Sequence, residues 1–183
     1  ELAVMAAYGD GMDRDGAGAR ARAKELCDGG AAGACTLHGT LLASSIGGDR
    51  DDAGAVASWT KACELRHTLG CAELGAAYRD GRGVPRDVAK AASLFAKGCT
   101  AGSMAACGNL GLAHETGAGV PRDAAKAAAL LNRACEAHEP AACHSVGVMH
   151  KNGTGVAKNL ARATALFKES CTGRYGRGCY ELA

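Results

Sequence analysis

Apolar and small residues recur along this chain at the spacing of short helices, and the recurrence itself repeats. From Cys71 onward, Cys71, Leu74, Gly75 and Tyr78 stand at i, i+3, i+4 and i+7, the spacing of one helical face. Gly81-Arg82-Gly83 predicts a break, since glycine reaches the left-handed conformations that end helices. Asp87, a short acceptor suited to an N-cap, opens a second pattern in which Ala91, Leu94, Phe95 and Gly98 share one stripe. The predicted unit is a helix hairpin, and the next one starts after Cys99.

The same hairpin is written several times. Gly11, Gly47, Gly83, Gly119 and Gly155 are equivalent positions 36 residues apart; so are Ala19, Ala55, Ala91, Ala127 and Ala163. Asp15, Asp51, Asp87, Asp123 and Asn159 form a third set, and the small residues Ala34, Gly70, Ala106, Ala142 and Gly178 a fourth. A fixed period of this length is the signature of a solenoid. The expected fold is all-α, an α/α repeat solenoid occupying 1–183 as one domain. Its hairpins fall at about 1–34, 35–70, 71–106, 107–142 and 143–178, with a further unit starting at 179–183. By the same register a cysteine belongs two places before Glu1, and neither end carries a polar cap, so a longer array is expected.

Composition narrows the function classes. The 183 residues are 48% hydrophobic but only 4% aromatic, with 27 glycines and 10 cysteines. A net charge of +2 with mixed signs gives no basic footprint for nucleic acid, and seven aromatics offer no platform for stacking bases. No apolar run approaches the roughly 18 residues of a membrane span.

The cysteines obey the register too: Cys27 and Cys35, Cys63 and Cys71, Cys99 and Cys107, Cys135 and Cys143, Cys171 and Cys179. Residues eight apart in one helix are roughly 12 Å apart, so a bridge within each pair needs a turn between them. The link from one second helix to the next first helix supplies that turn. Pairing Cys35 with Cys63 across a hairpin is the rival scheme, but it leaves Cys27 and Cys179 unmatched. Zinc is a further alternative, at odds with the two-to-four spacing of zinc clips, and free structural thiols are another. The short pairing is favoured, and it implies an oxidising compartment: periplasm, cell surface or a secreted form.

LGAAYRDGRGVPRDVAKAASLF, LGLAHETGAGVPRDAAKAAALL and VGVMHKNGTGVAKNLARATALF each resemble the Sel1 repeat pattern of Leu-Gly, an aromatic, Gly-x-Gly-Val, Asp and Lys-Ala. With the added C-x7-C the chain resembles the cysteine-rich Sel1-like family, of the Helicobacter cysteine-rich protein type often described as β-lactamases. It departs in the first two units: Ala6 replaces the aromatic, and Ser44-Ser45-Ile46-Gly47-Gly48 blurs the turn. The resemblance implies a right-handed superhelix with a concave inner surface. It also implies the roles of such proteins: adaptors in assemblies, envelope stress, secretion or host contact. Some cysteine-rich members bind penicillin-like compounds, and a mitochondrial relative assists cytochrome oxidase assembly.

The candidate chemistry is thin. Ser58-Trp59-Thr60-Lys61 is the one S-x-x-K, the pairing of nucleophile and base in serine β-lactamases, but no S-D-N or K-T-G accompanies it. The counterparts of Ser58 (Arg22, Leu94, Leu130, Leu166) place it in a packing slot, and those of Lys61 place the lysine in an exposed one. His114 and His150 occupy the position of Tyr78 and are expected to fill that aromatic slot; joined with His144 they would be a metal or haem ligand set, which the spacing of adjacent repeats disfavours. Lys90, Lys126 and Arg162 are expected on solvated faces, and Gly81-Arg82-Gly83 is no phosphate loop, since it follows a helix. No nucleophile beside a base, no metal shell and no cofactor are expected.

Function is therefore expected on the non-core face of the first helices, with Glu73, Asp80, Asn109, Thr116, Ser145 and Asn152 as ligand-facing candidates. The leading expectation is a non-enzymatic scaffold binding a protein, a peptide or a cell-envelope ligand such as a peptidoglycan fragment. A weak β-lactam-binding or β-lactamase-like protein is the alternative, and a haem or redox assembly helper a second.

Overall fold

The computed structural model describes residues 15–182, and among these every regular element is a helix. They form two compact units, divided between Ala101 and Gly102. In the first, α1 (Gly16–Asp28) is followed by a hairpin of α2 (Ala32–Ala43) and α3 (Asp52–Glu64), then a hairpin of α4 (Thr68–Asp80) and α5 (Val88–Thr100). In the second, α6 (Met104–Thr116) pairs with α7 (Ala124–Glu136), and α8 (Pro140–Asn152) with α9 (Leu160–Thr172), before the short α10 (Gly176–Tyr180). The first helices begin three residues before the cysteines taken as hairpin boundaries, which sets each cysteine one turn inside its helix. The helix expected before Gly11, with Ala6 in its aromatic position, lies outside the described residues, as does Ala183.

The ends of the helices follow from the residues that mark the period. The side chains of Asp15, Asp51, Asp87, Asp123 and Asn159 each accept a hydrogen bond from the backbone N–H three residues on, satisfying one donor of an opening turn. Three first helices end on Gly81, Gly117 and Gly153, all left-handed at φ 71–78°. In the second copy Ser45 takes that conformation instead, at φ 59°. A blurred motif still makes a similar stop, with a residue that adopts it less readily.

Within a hairpin the two helices interlock through one large residue set against one glycine. A Cβ on Gly75 would stand 2.6 Å from Phe95, one on Gly39 2.5 Å from Trp59, one on Gly111 2.7 Å from Leu131, and one on Gly147 2.6 Å from Phe167. The glycine at this position of each repeat thus lets a bulky side chain seat against the facing backbone. Phe95 and Leu131 are almost wholly buried there, and each such burial contributes about 2 kcal/mol.

Successive hairpins are joined by tight turns whose middle residue is left-handed: Gly30, Arg66, His138 and Arg174. The residue after it donates back to a carbonyl five positions earlier, as His67 does to Ala62 (2.9 Å) and Glu139 to Ala134 (3.1 Å). This reversal brings the flanking cysteines together. Cys27–Cys35, Cys63–Cys71, Cys135–Cys143 and Cys171–Cys179 are disulfides with Cα atoms 4.5–4.6 Å apart. Cys99 and Cys107 are disulfide-bonded as well. No helix among the described residues is long and apolar enough to cross a membrane.

Candidate functional site

The first-helix face carries the six predicted ligand-facing residues, and most of their polar atoms are already engaged. In the first unit, Asp80 is held by Arg79 (2.7 Å) and Arg82 (3.4 Å), which keep its carboxyl below the ordinary range, their pull outweighing partial burial. Glu73 is half-buried two helical turns away, and burial pushes its carboxyl up against the opposing pull of Arg82 and Arg79. In the second unit, Asn109 donates to Ala105 O (3.0 Å), Thr116 to Leu112 O (2.9 Å) and Ser145 to Ala141 O (3.1 Å), all within their own helices. Asn152 ends α8 exposed. A cleft of about 130 Å³ opens along α6 and α8, with Asn109 and Leu112 on its wall and Ala141 facing them.

The histidines expected in the aromatic slot both do the same thing. His114 Nδ1 donates to Pro121 O and His150 Nδ1 to Ala157 O, each at 3.1 Å, tying the end of a first helix to the loop that follows. His144 packs between the rings of Phe167 and Tyr175, centroids 5.8 and 5.6 Å away. The one metal-sized cluster of donors found among the described residues is Cys135, Cys143 and Glu169, and both of its sulfurs are locked in a disulfide.

A larger cavity lies elsewhere, on the second-helix side of the first unit. It measures about 640 Å³ and is bounded by α1, α2 and α3. α1 turns Ala17, Arg20, Ala21, Lys24 and Asp28 toward it; α2 contributes His38 and Leu42, one turn apart; α3 contributes Ala57, Ser58 and Lys61. The hydroxyl of Ser58, only 8% exposed, lies 2.9 Å from His38 Nδ1 and 3.0 Å from Gly54 O. The expectation that no nucleophile stands beside a base is therefore corrected. The spacing arguments gave His38 no role, because its 20-residue separation from Ser58 crosses the loop between two helices.

The chemistry of this pair is limited by its place. Ser58 sits mid-helix, where backbone N–H groups are spent on the helix itself, so no oxyanion hole faces the hydroxyl. Lys61, the other half of the S-x-x-K motif, pairs with Asp28 (3.8 Å), which also takes Lys24 (2.6 Å). Burial, with Arg20 and Lys24 nearby, holds the His38 imidazole below its ordinary pKa and hence neutral at physiological pH; Asp28 and Asp51 oppose this without reversing it.

A model of the Sel1 repeat matches residues 68–103, 105–138 and 140–174. The chain belongs to the Sel1 repeat family. Three Sel1 units are thus matched, and the two opening ones, with their blurred turn and their cavity, fall outside the matched stretches. The chain is similar to the uropathogenic Escherichia coli protective antigen c5321, which displays an SLR fold, with 26% identity and a TM-score of 0.81 over 93% of this chain. It spans 37% of that protein's length. It is also similar to Helicobacter pylori cysteine rich protein B, with 27% identity and a TM-score of 0.56 over 74% of this chain and 98% of the other. A Sel1 repeat protein from Oxalobacter formigenes shares the fold, at 20% identity and a TM-score of 0.88, covering 97% of this chain and 70% of that one. Comparison with curated proteins gives no match.

Proposed function

We propose that this disulfide-stapled Sel1 repeat chain is a non-enzymatic scaffold that holds a protein or peptide on the non-core face of its first helices, in an oxidising compartment such as the periplasm, the cell surface or the extracellular medium. The observation that carries the reading is the cleft along α6 and α8. Its apolar floor and the Asn109 amide would suit an extended segment with alternating apolar and polar side chains. Glu73 and Asp80 on α4, and Thr116, Ser145 and Asn152 on α6 and α8, would add contacts that differ from copy to copy, which is how a periodic backbone gains specificity. Bridges at the turns support both rigidity and an extracytoplasmic location.

A photoreactive side chain placed at Leu112, which is 38% exposed, tests this directly. In native envelope or secreted fractions, crosslinking to one partner is expected from Leu112 and not from Ala125, an exposed position on α7. Equal labelling from both positions would remove the first-helix face from consideration. Turnover of nitrocefin that vanished in Ser58→Ala would overturn the non-enzymatic part.

A further inference from the structure

We propose that the cavity between α1, α2 and α3 is a binding site for a small organic anion with an apolar body, held by Arg20 and by the His38–Ser58 pair. The site and its ligand class are separate from the peptide-binding face. The first argument is the repeat register, which gives an internal reference for every position. His38 stands where later units have Leu74, Leu110 and Val146, and Ser58 where they have Leu94, Leu130 and Leu166. Leu74 and Leu94 pack into one apolar cluster, as do Val146 and Leu166. In the second repeat both members of this facing pair are polar at once, and the shorter serine leaves space where a leucine would sit. Burying an imidazole and a hydroxyl in place of two aliphatic chains is costly unless both are bonded.

A second facing pair has changed in the same cavity. Arg20 occupies the position of Val56, Ala92 and Ala128, and Gly48 that of Val84, Val120 and Val156. Val56 and Val84 lie in one cluster. Here the valine is gone, and a Cβ on Gly48 would stand 2.6 Å from Arg20 Nη1. The loop that blurs the repeat pattern is shaped around the guanidinium, which donates to Asp49 O (2.9 Å).

The sign of the ligand follows from the charges. Lys24 and Lys61 converge on Asp28, and Asp51 accepts from Gly54 N at the positive N-terminus of α3. Arg20 rests on an uncharged carbonyl, so its charge faces the cavity without a contacting carboxylate among the described residues. Its planar fork suits a carboxylate or phosphate. Ser58, its one proton committed to Gly54 O or His38 Nδ1, fixes the imidazole, whose other nitrogen is the pair's remaining polar contact, and Ala17, Ala21, Leu42 and Ala57 form an apolar wall for the rest of the molecule.

The test is a backbone-amide NMR titration of the oxidised chain with benzoate, phenyl phosphate and indole-3-acetate, set against the neutral benzamide and the cationic benzylamine. At least one anion is expected to shift resonances around Arg20, His38 and Ser58 while benzamide and benzylamine do not; carboxylate and phosphate arms identify the preferred group. Arg20→Ala should weaken that binding about tenfold or more. The double variant His38→Leu/Ser58→Leu restores the pattern of the third unit; it should abolish binding and melt higher. If none of the anions shifts these resonances, if benzamide does so equally, or if Arg20→Ala binds as the parent does, the proposal fails. Should the double variant not fold, the Arg20→Ala result decides.

Discussion

The bridge between Cys63 and Cys71 is the most direct place to measure what the sulfurs contribute. Both residues are 2% exposed, and the link ties the end of α3 to the first turn of α4 across the left-handed Arg66. Closing a loop of eight residues in the unfolded chain removes entropy worth about 2.5 kcal/mol at room temperature. Cys63→Ala/Cys71→Ala should therefore lower unfolding stability by about that amount. Because the bridge spans a junction between two hairpins, the loss should also loosen their coupling and broaden the transition. Urea unfolding followed by far-ultraviolet circular dichroism measures both. The four bridges that span eight residues contribute about 10 kcal/mol together, before bonded Cys99 and Cys107 are counted, comparable with the whole net stability of a domain, so the fully reduced parent should be near the edge of folding. A double variant losing less than about 1 kcal/mol, or a reduced parent with an unchanged midpoint, would refute the reasoning.

Two further outcomes follow. Gly75→Ala should destabilise by about 1–3 kcal/mol in thermal melts despite the better helix propensity of alanine, because the added methyl meets the Phe95 ring. Glu73→Gln should stabilise the chain at pH 7 and leave it unchanged near pH 3: burial raises the folded-state pKa of Glu73, so its favourable contribution belongs to the protonated form and is lost as pH rises through that value, whereas glutamine stays neutral throughout.

The fold was legible because each signal that marks the period has a single physical job. Asp87 and its counterparts cap, Gly81 and its counterparts terminate, and Gly75 admits Phe95; a residue with one local job can be read locally. The cavity was not legible by those means. Ser58 looked like an isolated polar residue in a packing slot, since its partner His38 sits on another helix and nothing in local spacing joins them. The available signal was of another kind: paired departures from the register, with His38 and Ser58 where the next repeat has Leu74 and Leu94, and Arg20 and Gly48 where the next has Val56 and Val84. The first-helix face was placed by helical periodicity, but periodicity does not reveal that Asn109, Thr116 and Ser145 spend hydrogen bonds on their own helices.

Partners eight residues apart also bear on how the chain matures. At ordinary rates of synthesis the second thiol of a pair follows the first within about a second, well before the next pair is made. Oxidation that keeps pace with the emergence of the chain would then close each link in order, N-terminus first. Scrambled connectivity would have little opportunity to form, and such a chain would depend on an oxidant far more than on an isomerase.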